Sequence, residues 1–298
     1  MKAGLQISTF SWPGGTPALA ETFARVVRTA DDVGFDSIWV MDHLFQIRSV
    51  GRAEEPMLEG TTALGFMAAH SKRARLGLMV GGIHYRLPGL WLKSVTTLDV
   101  LSGGRAWFGI GAAWNREESE GLGFPFPPLG VRFEMLEETL QFAHGMFEGE
   151  LGSEGELRGR QYTATRLMNS PQSISRPRIP IMIGGGGERK TLRLVARYGD
   201  ACNVFGGPQM LHHKYSVLRQ HCESVGRPYD EIERSTLQSV RISEDGSDGN
   251  ESPAQVVDRF GELSDAGAQH VIFSVRDVFD ISKLELLGRA VLPELAGL

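Results

Sequence analysis

The sequence predicts an α/β fold closed into a (β/α)8 TIM barrel, on three observations. Eight apolar runs of strand length alternate with segments whose apolar residues recur at helical spacing. Eight repeats of strand then helix favour a closed parallel barrel over an open sheet. The 298 residues suit such a barrel, typically about 250 residues, and no break in composition marks a second domain. Residues 1–298 are therefore expected to form one barrel domain.

The elements follow in order. Strands are expected at residues 3–8, 37–41, 74–80, 105–110, 179–183, 201–204, 235–242 and 270–274. Between them, residues 19–33 carry Phe23, Val26, Val27 and Ala30 on one helical face. Similar periods place helices at 90–101, 133–147, 192–197, 210–225, 253–266 and 281–295. The Ser102-Gly103-Gly104 sequence reads as a helix C-cap turn. Two stretches break the rhythm. Residues 45–60, after the second strand, are irregular. Residues 149–178 are polar and rich in Gly and Pro, and they form an insertion between the fourth helix and the fifth strand. That insertion is expected either to reach the ligand face as a lid or substrate wall, or to be an uninvolved loop.

Composition narrows the function. The chain is 41% hydrophobic and 22% charged, with a net charge of −5, so no basic surface points to nucleic acid or an anionic membrane. Cys202 and Cys222 stand far apart, outside any zinc or CxxC spacing, and Cys202 reads as a small core residue. The first residues run straight into a strand, and no apolar stretch approaches the roughly 18 residues of a membrane span. A cytoplasmic protein is expected, with a small-molecule substrate.

Barrel chemistry sits at the C-terminal ends of the strands, and that rule selects residues. Asp42 and His43 close the second strand. Histidine titrates near neutrality and can move a proton, and a carboxylate neighbour could set its tautomer. Adjacent strand residues point to opposite faces, so the two need not touch. His84 is a weaker candidate, and His212 and His213 read as helix surface. No strand end offers the spread of carboxylates and histidines that a metal site needs, so none is expected. Gly81 and Gly82 near the end of strand three mark a bulge or a close backbone approach. Gly109, Gly111, Ala112 and Ala113 after strand four also keep side chains small. Such a mouth suits a flat ligand, with Trp114 and Phe205 available to stack on it.

Four consecutive glycines, Gly184, Gly185, Gly186 and Gly187, follow the fifth strand and precede a helix. They read as a tight connection or as a cradle in which backbone N–H groups and a helix N-terminus meet a phosphate. No Gly-Lys-Ser/Thr follows, and the glycines lack dinucleotide-fingerprint spacing.

Taken together, the segments SIWVMDH at 37–43, YRLP at 85–88, LDVLSGGR at 98–105, GIGAAW at 109–114, IGGGGER at 183–189 and ARYGD at 196–200 resemble the luciferase-like monooxygenase superfamily. The resemblance implies a barrel binding FMN or its deazaflavin relative, coenzyme F420. The Asp-His pair resembles the deazaflavin-dependent branch, in which the histidine stands beside the reactive ring carbon. Carried over, that role falls on His43, with Asp42 close by. The resemblance also implies a cis Met79–Val80 peptide in a strand-three bulge behind the ring, and phosphate on the glycine run. A homodimer is a further family expectation. In the sugar-phosphate branch a glutamate follows strand four; Trp114 stands at that position here, which speaks against that activity. An F420-dependent oxidoreductase is the expected function. The alternatives are an FMN-dependent monooxygenase, a non-catalytic flavin-binding protein and a metal-dependent barrel enzyme.

Overall fold

The computed structural model describes residues 1–149 and 155–298. The chain opens with β1 (Lys2–Ile7), α1 (Gly15–Val33), β2 (Ser37–Val40), α2 (Gly60–His70), β3 (Arg75–Leu78) and β4 (Gly81–Gly82). There follow α3 (Pro88–Ser102), β5 (Phe108–Gly111), α4 (Arg116–Gly121), α5 (Leu129–Glu148) and a short hairpin, β6 (Leu157–Arg158) and β7 (Thr163–Ala164). The second half contains β8 (Ile181–Gly184), α6 (Thr191–Tyr198), β9 (Ala201–Phe205), α7 (Pro208–Val225) and β10 (Glu233–Val240). It ends with α8 (Pro253–Asp265), β11 (His270–Val275), α9 (Ile281–Ala290) and α10 (Leu292–Ala296).

One parallel sheet runs in the order β3-β2-β1-β11-β10-β9-β8-β5-β4. Its two ends are halves of one barrel strand, the expected third. β3 pairs with β2, β4 pairs with β5, and a parallel bridge between Leu76 and Ala106 closes the ring. All eight expected strands are present, so the barrel reading holds.

Apolar residues pack in two layers. Between sheet and helices lies a continuous shell that includes Leu5, Phe23, Ile38, Phe108 and Phe273. Inside the barrel, Trp39, Met79, Trp107, Met182, Ala201 and Ile272 form a separate plug. Trp39 and Trp107 meet at 6.1 Å, and a Cβ on Gly77 would stand 2.4 Å from the Trp39 ring. Strand three therefore carries Gly77 because an indole fills that part of the lumen. The plug forms the floor of whatever lies above it.

Helix α2 falls where the periodic reading found none. Its buried Gly60, Ala63, Leu64 and Met67 recur at helical spacing, but the outward positions include the small Gly65, Ala68 and Ala69, so the contrast between the faces is too weak to read as a period. Helix α3 ends as the sequence indicates, with Gly103 at φ 75° accepting the left-handed C-cap.

The described part of the insertion follows the second of its two expected readings. Its residues 150–154 lie outside the described residues; residues 155–178 lie along the outer helices, and none of them lines the cavity described below. On α5, the buried Glu138 carboxylate accepts the N–H groups of Arg160, Gln161 and Tyr162 at 2.7–2.9 Å. On α3, Asp99 accepts those of Ile174 and Ser175 at 2.7 and 2.9 Å. Two buried carboxylates thus tie the insertion to the barrel flank, away from the mouth. Among the described residues, no helix is long and apolar enough to cross a membrane.

Candidate active site

The C-terminal ends of all eight barrel strands open on one cavity of about 750 Å³, within the roughly 300–1,000 Å³ usual for small-molecule sites. Asp42, His43, Met79, Val80, Gly81, Ala112, Ala113 and Trp114 line it, as do Gly184, Gly185 and Gly187. Gly186 lies between Gly185 and Gly187 in the same loop. The irregular segment after β2 contributes Ile47, Ser49 and Val50, and α5 contributes Leu129 and Phe133.

His43 stands on this wall three residues beyond β2. Its Nδ1 lies 2.5 Å from Oε1 of Glu118, while its Nε2 has no protein partner among the described residues. Glu118 is fully buried on α4, and its other oxygen accepts the Leu44 and Phe45 N–H groups at 2.6 and 3.1 Å. Burial would raise the pKa of Glu118. The hydrogen bonds from His43, the Tyr85 hydroxyl and Leu44 outweigh burial and hold it below the usual carboxylate range. An ionised carboxylate at Nδ1 fixes the proton there, leaving Nε2 as an acceptor. Trp114 stands edge-on to the imidazole at 5.5 Å.

Asp42 is not the carboxylate that holds His43. Its oxygens take both arms of Arg86 at 2.7 and 2.8 Å and the Gly82 N–H at 2.8 Å. The alternation of the chain turns it away from its neighbour, as the strand rule warned. The same Arg86 binds Glu59, the N-cap of α2. Burial would raise the pKa of Glu59, yet the Arg86 and Thr62 bonds bring it down to about 2. Asp42 thus clamps the loop after β4 to α2 through Arg86 and Glu59.

A bulge separates β3 from β4. The Met79–Val80 peptide is cis, as the resemblance implied, and Gln6 reaches the Met79 carbonyl at 3.5 Å. Val80 projects over glycines: a Cβ on Gly184 would meet it at 2.6 Å and one on Gly111 at 2.9 Å. A Cβ on Gly109 would lie 1.9 Å from the Leu78 carbonyl oxygen. Gly109 makes room for the protein's own bulge rather than for a ligand, which corrects the first reading at that residue; Gly111 and Gly184 accommodate Val80 and, like Ala112 and Ala113, also line the cavity.

The rest of the glycine run serves differently. Gly185 needs its φ of 121°, and its N–H goes to Asn203 at 2.9 Å. The N–H groups of Gly186 and Gly187 have no acceptor among the described residues. A turn at residues 188–190 separates the run from α6, which starts at Thr191, one residue before the expected 192. Thr191, its first residue, lines the cavity, and the Lys214 side chain lies beside Gly186. Two N–H groups without an acceptor among the described residues and the Thr191 hydroxyl lie at this end of the cavity, which suits an anion, while the Lys214 ammonium nearby is held by Glu188 at 2.6 Å.

Sequence comparison decides the family. The profile of the luciferase-like monooxygenases matches residues 1–252. The chain belongs to that family. Among its curated relatives is an F420-dependent glucose-6-phosphate dehydrogenase of Nakamurella multipartita, 30% identical over 242 residues that span 78% of this chain and 67% of the relative. Another is a 5,10-methylenetetrahydromethanopterin reductase of Archaeoglobus fulgidus, 25% identical over 262 residues, spanning 80% and 70%. The coenzyme F420-dependent tetrahydromethanopterin reductase from Methanopyrus kandleri shares the fold, with a TM-score of 0.80, 18% identity and 99% coverage of both chains.

Within this luciferase-like barrel, sequence reading missed Glu118. Its signal was present: Glu117 and Glu118 follow Asn115, which caps α4 immediately after a strand end. A carboxylate in that position belongs to the mouth. Tyr85 was quoted only as part of a motif. Its hydroxyl supports Glu118, and burial first, then the Glu118 charge, raises its pKa. His84 is buried and holds Ser119 at 2.6 Å; burial and Arg132 lower its pKa to about 4, so it stays neutral and structural.

Proposed function

We propose that this luciferase-like protein is a coenzyme F420-dependent oxidoreductase acting on a small organic substrate. One observation carries the reading: His43, with a free Nε2 and an ionised carboxylate behind it, faces the same cavity as the Met79–Val80 bulge and the anion-suited glycine loop. The residues fit an elongated phosphorylated cofactor. Gly186, Gly187 and Thr191 would hold its phosphate; Met79, Val80, Gly81, Ala112, Ala113 and Trp114 would bound its ring. When bound, the deazaflavin supplies a carbon that accepts or donates a hydride. The protein's part is to orient the ring, exclude water and move one proton at His43 Nε2. Glu118 stabilises the imidazolium that results, and Asp42 keeps the bulge in place through Gly82 and Arg86. The relatives described as F420-dependent support this cofactor over FMN.

The test is a binding titration. Purified protein should quench F420 fluorescence at micromolar concentrations and retain that cofactor on desalting, with FMN held far more weakly. Tight FMN retention without F420 binding would transfer the protein to the monooxygenase reading. We also propose a homodimer. Leu87 before α3, and Leu90 and Leu101 on it, are 68–79% exposed, apolar surface that a second copy would cover.

A further inference from the structure

Arg132 lies in the first turn of α5 and is 7% exposed, yet among the described residues no carboxylate pairs with it. A buried cation without an acidic partner is unfavourable, and the first turn of a helix disfavours positive charge. Its Nε is also buried without an acceptor among the described residues. Helix stability therefore does not explain this arginine.

What Arg132 holds is backbone. One nitrogen, Nη1, donates to the Ala113 carbonyl at 2.8 Å and to the Ala112 carbonyl at 3.2 Å. The guanidinium lies over the half-buried Phe126 ring at 4.0 Å. Among the described residues, no other side chain bonds the backbone of residues 112–114. Ala113 itself has φ 60°, a left-handed conformation uncommon for a residue with a Cβ. Such a conformation persists where its surroundings impose it. The next residue is Trp114, whose indole is 64% exposed, so burial does little to fix it. It nevertheless stands edge-on to His43 at 5.5 Å. There it forms one wall of two hollows, the main cavity and a second of about 270 Å³ that Ile47 also lines.

We propose that Arg132 is a positioning residue: by fixing the Ala112 and Ala113 carbonyls it holds Ala113 left-handed and sets the Trp114 indole beside His43. The orientation of the indole decides how the two hollows are divided, and with it the shape of the space offered to a substrate. This placement stands on the contacts alone; its effect on cofactor binding rests on the proposed function, in which Ala112, Ala113 and Trp114 bound the ring.

Fluorine NMR of protein labelled with 5-fluorotryptophan tests the placement without cofactor. The chain has five tryptophans, and the Trp114 line is assigned by its loss in Trp114→Phe. Arg132→Met keeps an apolar stem against Phe126 and removes the donor. The Trp114 line should then shift or split, while those of the buried Trp12, Trp39, Trp91 and Trp107 stay in place. Arg132→Lys, which again offers one nitrogen to both carbonyls, should return the line to its parent position. Should Arg132→Met not fold, Arg132→Gln, neutral and too short to reach both carbonyls, is read against the same expectation. F420 binding, followed by fluorescence quenching, should weaken about tenfold in the same variant, equivalent to about 1.4 kcal/mol. A Trp114 line that stays in place, buried lines that move with it, or unchanged F420 affinity overturns the role of Arg132. Failure of the unmodified protein to bind F420 would defeat the proposed cofactor, and the Trp114 line would still decide the placement.

Discussion

Glu118→Gln removes one charge and one acceptor atom while preserving shape. Glu118 accepts from His43 Nδ1 with one oxygen and from Leu44 and Phe45 with the other. Glutamine has a single acceptor oxygen, so it can serve the two backbone N–H groups or the imidazole, but not both. The backbone pair is fixed, so the amide NH2 turns to Nδ1 and forces the proton of the neutral ring onto Nε2. The face that should accept a proton becomes a donor. Losing a hydrogen bond to a charged group costs about 1.5–3 kcal/mol, equivalent to a roughly 10- to 150-fold lower rate if felt at the transition state. Long-range 1H–15N correlation spectra of the imidazole report the tautomer without cofactor or substrate. The expected result is an Nδ1–H ring in the parent protein and an Nε2–H ring in the variant. An unchanged tautomer would refute the role assigned to Glu118.

Other expectations follow from the same contacts. Gly184→Ala should destabilise the barrel by about 1–3 kcal/mol through overpacking, because its Cβ meets Val80 at 2.6 Å. Gly186→Ala, 3.7 Å from its nearest neighbours, should leave the urea midpoint unchanged; equal effects would contradict the packing account. Arg86→Leu leaves the Asp42 carboxylate, with a side chain 1% exposed, without its partner, and should lose about 3–5 kcal/mol. A loss below one would show that the clamp is dispensable. At the opposite end of the barrel, Glu233 resists burial through bonds from His270 and Lys2, which bring its pKa down to about 2. A depressed carboxylate stabilises the fold above its ordinary value near 4.5, and that contribution disappears as pH falls towards 2. Glu233→Gln should therefore lose on the order of 2–3 kcal/mol at pH 7, with a flatter stability curve between those pH values; an unchanged curve would discount the pair. Leu90→Glu on the exposed surface of α3 should yield monomers in sedimentation, and a persistent dimer would place the interface elsewhere.

The barrel was legible because its signal is local and repeated. Most strands are short apolar runs buried on both faces, with the polar β10 (Glu233–Val240) the exception, and the outer helices keep an amphipathic period. Helix α2 escaped because its outward face carries Gly65, Ala68 and Ala69, which blur the contrast that marks a period. The site was legible in part. Asp42, His43 and the glycine run occur where strand ends must converge, so sequence position alone brings them together. Which carboxylate meets His43 is a tertiary fact: Glu118 lies 75 residues away and arrives on a helix of six residues. Gly109 was misread, and the contact of Gly111 and Gly184 with Val80 missed, for a related reason. Sequence shows that a side chain is absent; only the fold shows that Val80 and the Leu78 carbonyl occupy the space.

A crystal structure of the protein soaked with F420 tests the central claim most directly. The account predicts phosphate density on the Gly186 and Gly187 N–H groups and the deazaflavin ring against Val80, with its reactive edge beside His43 Nε2. Density for the cofactor elsewhere, or a ring turned away from His43, would contradict it.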